Sequence, residues 1–368
     1  MLNIIFYVFA AITLIQIAWY LGILGKFSFA KPQAITPKKI PVSVIVCIKN
    51  NIEEAQRLIP ALAAQEYPDF EIVLVDNASG DETIDILEGF EKQYPNVRLV
   101  KVANNEAFWA NKKYALTLGI KAASKEYLLF IDINCMPASN QWIASMASQF
   151  TLSKTIVLGY SAFEKKKNSF LNKLIRFDGL MAATQYFSWV KMGSPYTGNG
   201  RNLAYKKAEF FNRNGYINHI KIRVGEDALF INEAATKKNT AICYAPQSIT
   251  FREGKKTFKE WIKDKRKVLF TTRYFKPFDK LQLKAFYILQ LLFFVLAITL
   301  AILQYNWMFL VPVVVVRYSI AWLTLAQSAK RLNEKDAVYW YPVMEIMLIF
   351  TLLYAYIANM FRKPVHWK

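Results

Sequence analysis

The run from Leu2 to Leu24 (LNIIFYVFAAITLIQIAWYLGIL) contains no Asp, Glu, Lys or Arg, and this feature constrains the chain most. At about 1.5 Å per residue, a helix of this length crosses a hydrocarbon core of roughly 30 Å. A cleaved signal peptide would want a basic start, a shorter apolar run and a small-residue cleavage site. This segment lacks the basic start and is too long, so residues 1–25 are expected to be a retained anchor. Lys26, Lys31, Lys38 and Lys39 follow at once, in a stretch broken by Pro32 and Pro37. Positively charged flanks stay in the cytoplasm. The N-terminus is therefore expected outside and the next region in the cytoplasm, at the inner (plasma) membrane.

The chain turns apolar again near Ala285, where Ala285–Leu303, Trp307–Leu325 and Ala337–Phe361 are candidate spans. Residues 284–361 thus form a C-terminal membrane region of about three transmembrane or interfacial helices. Lys330, Arg331 and Lys335 put the loop between the last two spans in the cytoplasm, in agreement with the first assignment. The tail Arg362–Lys368 then falls outside, against the rule; either the last segment is re-entrant or interfacial, or the rule fails here. Arg317 and Glu345 lie inside predicted spans, where isolated charge is costly. The preferred reading is an Arg–Glu pair, and the alternative is a polar route for a lipid head group or nascent glycan.

Between the spans, residues 40–280 read as a soluble domain. Apolar runs alternate with helical patterns: Val42–Ile48 then Glu53–Gln65, Glu71–Val75 then Asp81–Gln93, Val97–Val102 then Ala107–Ala123, Tyr127–Ile131 then Gln141–Phe150. Continuous apolar strands alternating with helices imply a buried, mostly parallel α/β sheet, whose ligands bind beyond the carboxyl ends of the strands. The 20% charged residues exclude disorder. Cys47, Cys135 and Cys243 are far apart with no CxxC, which excludes a zinc finger or disulfide scaffold. His219 and His366 alone make a histidine metal site or a Ser-His-Asp triad untenable. The net charge of +20 suits nucleic acid, anionic lipid or phosphorylated substrates equally, but no nucleic-acid module explains the spans.

The chemistry should follow the strands. Lys49-Asn50-Asn51 follows the first, and Asp76-Asn77-Ala78-Ser79-Gly80-Asp81 the second. Asp76 suits a base N–H or ribose hydroxyl, and Asp81 a helix cap. After the fourth strand, Asp132 and Asn134 stand two residues apart and can point at one divalent ion and its bridging diphosphate. Further on, Glu226 and Asp227 are either helix-start charges or, in one of them, a general base for an attacking hydroxyl. The glycines of Thr197-Gly198-Asn199-Gly200-Arg201-Asn202 permit close backbone approach. The basic run Lys255–Arg273 suits either a diphosphate leaving group or a lipid-facing surface. Ser169–Met192 reads as an amphipathic helix on the membrane surface, with a buried core helix as the alternative.

The ordered set VDNASGDET, NKKYALTLGIKAA, FIDINC, GNGRNLAYKK, GEDALF and a basic aromatic run followed by spans resembles the membrane-bound inverting glycosyltransferases of family 2, with a GT-A fold. The resemblance covers roughly Pro41–Phe275 and the flanking spans. It implies hexosyl or N-acetylhexosaminyl transfer from a nucleotide-sugar donor to a lipid-linked or glycan acceptor, helped by Mg²⁺ or Mn²⁺. The enzyme would contact membrane lipids and bind no nucleic acid. Carried over residue by residue, Lys49, Asn51, Asp76, Asn77, Lys112 and Asp132 would line the nucleotide sugar, and Asp132 with Asn134 would take the metal place. Asp227, beside Glu226, would be the catalytic base. Gly198, Asn199, Arg201 and Asn202, with Lys265 and Lys267, would border the acceptor and diphosphate. The departures are Asn51 for a common glutamate, Asn77 for a second aspartate, and Asp264-Lys265-Arg266-Lys267-Val268 for Q-K/R-x-R-W/H. Asn134 also replaces a carboxylate, and a neutral amide binds a divalent ion less strongly. The alternative function is a catalytically impaired pseudo-glycosyltransferase serving as a membrane scaffold or partner subunit.

Overall fold

The computed structural model describes residues 2–33, 35–103 and 112–361. The start of the helix expected over Ala107–Ala123 and the tail Arg362–Lys368, with His366, lie outside the described residues. The described residues divide into two compact units, one of 2–31, 166–192 and 255–361, the other of 32–33, 35–103, 112–165 and 193–254. This partition is not linear in sequence. Two helices inside the stretch 40–280, α7 (Phe170–Met192) and α10 (Phe258–Thr272), belong with the apolar helices.

The second unit holds a seven-stranded sheet. Its strands are β1 (Val42–Ile48), β2 (Phe70–Asp76), β3 (Val97–Lys101), β4 (Tyr127–Phe130), β6 (Ile156–Gly159), β8 (Leu203–Lys206) and β9 (Thr240–Cys243), in the order β3-β2-β1-β4-β8-β6-β9. All neighbours are parallel except β8, which runs antiparallel to β4 and β6. A second sheet pairs β5 (Cys135–Pro137), β10 (Thr250–Arg252) and β7 (Ser161–Phe163). β1 is buried almost throughout because its apolar residues face helices on both sides. Helix α3 (Ile52–Ala63) buries Ala55, Leu58, Ile59 and Leu62, one stripe at helical spacing, against that layer. Each such large aliphatic side chain contributes about 1.5–3 kcal/mol of transfer free energy. Helix α5 (Lys112–Ala122) lies close against the sheet at Gly119, where a Cβ would come within 2.5 Å of Val75 Cγ2. The chain winds outward from β1 to β3, then returns to place β4 on the other side of β1. The order therefore reverses between β1 and β4, where an open α/β sheet opens its crevice.

In the other unit, among the described residues, four helices are long and apolar enough to cross a membrane: Leu2–Ser28, Pro277–Ile302 (α11), Trp307–Arg331 (α12) and Tyr341–Phe361 (α13). The first comprises α1 (Leu2–Ala18), a π-helical turn at Trp19–Leu24 and α2 (Gly25–Ser28). The buried Arg317 guanidinium forms a forked pair with Glu345, both contacts at 2.6 Å. Its Nε donates to Gln16 at 2.7 Å. Tyr20, Tyr341 and Gln290 donate to Glu345 Oε1 at 3.1, 2.9 and 3.1 Å. All four helices thus supply polar groups to one buried cluster, as an ion pair at membrane depth requires.

Helix α7 departs from the surface-lying amphipathic helix preferred from its sequence; the core-helix alternative holds. Leu174, Ile175, Phe177, Leu180, Thr184, Phe187 and Ser188 are buried around its circumference. Ser188 donates to Leu24 O at 3.1 Å, and the Phe187 ring packs 5.1 Å from that of Phe27. Arg176, on the same helix, is buried in a fork with Glu334 and Asp336. Apolar and small residues on every side of the helix leave no wide polar face for water.

Arg317→Met is expected to lower unfolding stability in detergent by roughly 3–5 kcal/mol, because Glu345 remains buried without its partner. Arg317→Met/Glu345→Leu should recover most of that loss. Equal stability of the single variant and wild type in denaturant titrations would refute a structural role for the pair.

Candidate active site

The loops after β1 and β2 are tied into one ledge at the carboxyl edge of the sheet. Asn50 adopts φ 51° and Ala78 φ 52°, the left-handed region. Asn50 N donates to Ser79 Oγ at 3.1 Å, and Gly80 N donates to Asn50 Oδ1 at 2.9 Å. Asn51 N donates to Thr83 Oγ1 at 3.2 Å. Asp76 ends β2 and accepts from Ser79 N at 3.3 Å; both it and Asn77 are buried, whereas Lys49 is exposed. Asp81 accepts from Thr83 N at 3.1 Å but stands one residue before Glu82, the N-cap of α4 (Thr83–Gln93), and so does not take the cap position expected of it.

Asp132, two residues past β4, is the centre of a charge cluster. Lys112, at the start of α5, reaches Asp132 Oδ1 at 2.7 Å and Glu226 at 3.1 Å. Arg201 Nε lies 3.3 Å from Asp132 Oδ2. Glu226 and Asp227 occupy the first turn of α9 (Glu226–Ala234), entered through Gly225 at φ 73°. A small pocket is lined by Cys47, Lys112, Phe130, Asp132, Gly200 and Asp227, among others. Gly200 is needed there, since a Cβ on it would sit 2.1 Å from Asp227 Oδ2. Asp132 and Asp227 therefore share one pocket. Asp76 stands on the same sheet edge but does not line it, with the end of β1 between.

The electrostatics set the two carboxylates apart. Burial would raise the pKa of Asp132, but the charges of Lys112 and Arg201 outweigh it and hold the group at about 2. Burial, followed by repulsion from Glu226, pushes Asp227 up from 3.8 to about 7. Burial also opposes the charge on Lys112, but Asp132, Glu226 and Asp227 hold it well above the ordinary lysine value. Burial pushes the Cys47 thiol up to about 12.

The remaining residues expected at the site make the following contacts. Asn202 is fully buried; its Nδ2 donates to Tyr160 O at 2.8 Å and Ser248 O at 2.6 Å, and its Oδ1 accepts from Trp142 Nε1 at 3.1 Å. With its amide committed inside the core, Asn202 is a strut and not an acceptor contact. Gly198 is packed so that a Cβ would meet Ile231 and Leu158 at 3.0 and 3.1 Å. Asn199 Oδ1 accepts from Arg201 N and Nη1, both at 3.2 Å. Lys265 and Lys267 lie on α10 in the unit of apolar helices, where Lys265 pairs with Asp178 at 2.6 Å. Asn134 is exposed, its Oδ1 facing the Cys135 thiol at 3.6 Å.

Lys113 went unrecognised as a site residue in the sequence. It is buried, donating to His219 O at 2.7 Å and Ile222 O at 2.5 Å. Burial lowers its pKa to about 8 and, with the Lys113 charge, that of His219 to about 4. It ties the helix carrying Lys112 to the segment leading into Glu226 and Asp227. Its spacing from Leu116 and Ile120, both buried, is the signal that placed it on an apolar face.

A family model described as "Glycosyl transferase family 2" matches residues 43–219. The chain is similar to "Glycosyltransferase AglE" of Haloferax volcanii, 28% identical over 165 residues, 44% of this chain and 49% of that protein. It is also similar to a ceramide glucosyltransferase of Komagataella phaffii, 28% identical over 164 residues, 42% of this chain and 31% of the relative. The matches span about half the length of the first relative and less of the second. Among solved structures, the mannosyltransferase PcManGT of Pyrobaculum calidifontis, in complex with GDP-Man and Mn²⁺, superimposes with a TM-score of 0.60 at 16% identity, covering 96% of this chain and 99% of that one. At that identity the likeness concerns the fold, which is the expected GT-A arrangement.

Two outcomes follow from the buried charges. Lys113→Met should cost about 1–3 kcal/mol and speed amide exchange over residues 217–224, since the carbonyls of His219 and Ile222 lose the ammonium that ties them to α5; unchanged exchange there would refute the tie. The folded protein holds a proton on Asp227 above pH 3.8, where the unfolded chain has released it. This group therefore favours folding below 3.8, and its contribution is lost as pH rises to about 7. Asp227→Asn should accordingly raise the melting temperature more at pH 8 than at pH 5, and an equal effect at both would count against the shift.

Proposed function

Because the chain carries a family 2 glycosyltransferase domain, we propose that it is a membrane-anchored inverting transferase that moves a sugar from a nucleotide-sugar donor to a lipid-linked or glycan acceptor at the cytoplasmic face. The observation that carries this reading is one pocket shared by the carboxyl of Asp227, with its raised pKa, and the Lys112–Asp132–Arg201 cluster. Four helices able to cross a membrane, and a relative whose name includes ceramide, support an acceptor that resides in lipid. The basic flanks of the first span support the cytoplasmic side.

In this reading the Asp227 carboxylate takes the proton of the acceptor hydroxyl. The acceptor oxygen bonds the anomeric carbon from the face opposite the diphosphate. The bond from that carbon to the diphosphate oxygen breaks, its electron pair leaving with the oxygen. Lys112 and Arg201 meet the charge that develops there. Glu226 keeps Lys112 in place through their 3.1 Å contact and, by repulsion, helps keep the Asp227 pKa near neutrality, where a base works best. Gly200, with no side chain, leaves room beside the base. Asp76 and Asn77, on the neighbouring ledge, are assigned to the nucleoside.

A divalent ion is the usual helper in such a fold, and Mn²⁺ accompanies GDP-Man in PcManGT. The residues here fit one poorly. Asp132 has a cation on each oxygen, Asn134 offers a neutral and exposed amide, and no group of three or more His, Cys, Asp or Glu among the described residues is placed to hold a metal.

Release of nucleoside diphosphate from a panel of nucleotide sugars, with membrane extract as acceptor, tests the proposal. Asp227→Asn should lower kcat about 10²–10⁴-fold, and the wild-type rate should rise with pH through about 7 as the base ionises. Wild-type turnover in Asp227→Asn would remove it as the base. Absence of both turnover and nucleotide binding across the panel would leave a scaffold role.

A further inference from the structure

We infer that Lys112 and Arg201 take the place of a divalent cation in this chain, so that the donor diphosphate is bound and neutralised by two protein cations without metal. The inference rests on the transferase reading and extends it. Two independent features carry it. The first is covalent: the side chain at 134 is an amide, so the strand end presents one carboxylate, Asp132, and not two. A hard divalent ion depends on anionic oxygen, and the loss of a carboxylate weakens its hold.

The second feature is geometric. Arg201 is fixed in place from several directions. Its backbone N and its Nη1 both donate to Asn199 Oδ1, and its carbonyl accepts from Thr250 Oγ1 at 3.0 Å. The next residue, Asn202, is locked into the core through Tyr160, Ser248 and Trp142. This anchoring sets the guanidinium beside Asp132 Oδ2, while Lys112, held also by Glu226, occupies Oδ1. Arg252 adds a third positive charge that acts on Asp132; it sits on β10, paired in register with Cys135 next to Asn134. Asn134 thus removes one negative charge where Arg201 supplies a positive one. The pocket acquires in side chains the positive potential that a diphosphate needs. Guanidinium and ammonium both bind phosphate oxygens through charge-assisted hydrogen bonds, and the guanidinium can do so through two parallel donors. The pair rests on Asp132, and an incoming diphosphate competes for the same donors.

The experiment is titration of the purified full-length protein in detergent with UDP, GDP, ADP and CDP, in EDTA and in Mn²⁺, by calorimetry. For whichever nucleotide binds, the dissociation constants in EDTA and Mn²⁺ should agree within about threefold. Arg201→Gln should weaken binding in EDTA by roughly 10- to 100-fold, and Arg201→Lys, which keeps the charge, by less. Arg201→Gln/Asn134→Asp should bind again only when Mn²⁺ is added. Wild-type binding that vanishes in EDTA and returns with Mn²⁺ would overturn the inference and leave the transferase reading intact. So would unchanged affinity in a folded Arg201→Gln. Failure of every nucleotide under both conditions would overturn the transferase reading and this inference with it. Should Arg201→Gln fail to fold, the wild-type comparison of EDTA with Mn²⁺ decides alone.

Discussion

Asp132 is a charge at the end of a buried strand, and the organisation of the site follows from the need to neutralise it. Water does not fully reach it, so cations must. They come from segments distant in sequence: Lys112 from the start of α5 and Arg201 from the loop before β8. Lys112 in turn draws Glu226, which brings α9 and therefore Asp227 to the same pocket. Each partner is fixed by a strut with no chemistry of its own. Lys113 holds the approach to α9, and Asn202 holds the loop that presents Arg201. The opposed pKa directions of Asp132 and Asp227 arise from this arrangement, because one carboxyl faces two cations and the other is buried beside a second carboxylate.

The unit of apolar helices solves the same problem differently. Arg317 and Glu345 satisfy one another at 2.6 Å, and groups from all four candidate spans fill their remaining hydrogen-bonding positions. A closed network of this kind holds helices together, whereas the cluster around Asp132 borders a small pocket at the sheet edge. Arg176, with Glu334 and Asp336, repeats the closed form and ties α7 to the loop between α12 and α13. Charge burial is structural in one unit and available for chemistry in the other. The difference lies in whether the partners leave space beside them.

Much of the layout could be read from residues in order. β1 coincides with the apolar run Val42–Ile48, and β2 extends the run Glu71–Val75 by one residue at each end, because strands covered on both faces are written as unbroken apolar stretches. The cost of isolated charge in a span pointed to Arg317 and Glu345 as a pair. The strand-end rule drew attention to Asp76, Asp132 and the segments beyond them. The misreadings share a cause, since polarity in a sequence does not reveal which partner a polar group finds. Asn202 looked available for ligand, but its amide is taken up by Trp142, Tyr160 and Ser248. Helix α7 looked amphipathic because Lys173, Arg176, Asp178 and Lys191 interrupt its apolar residues, yet Arg176 is buried with acids some 158 and 160 positions away.

By itself, the sequence determined the class of chain: helices that can cross a membrane, before and after a stretch that forms a mostly parallel α/β sheet with its polar residues at the strand ends. Those properties depend on local composition and period, which every short window carries. Only the tertiary structure decided that α7 and α10 leave the sheet unit, that Lys113 is a buried tie, and that Asp227 meets Gly200 while Arg201 meets Asp132. The reason is physical. Burial and Coulomb interactions depend on distance in space, and residues 112, 132, 201 and 227 become neighbours only once the strand order reverses beside β1 and folds their segments onto one edge.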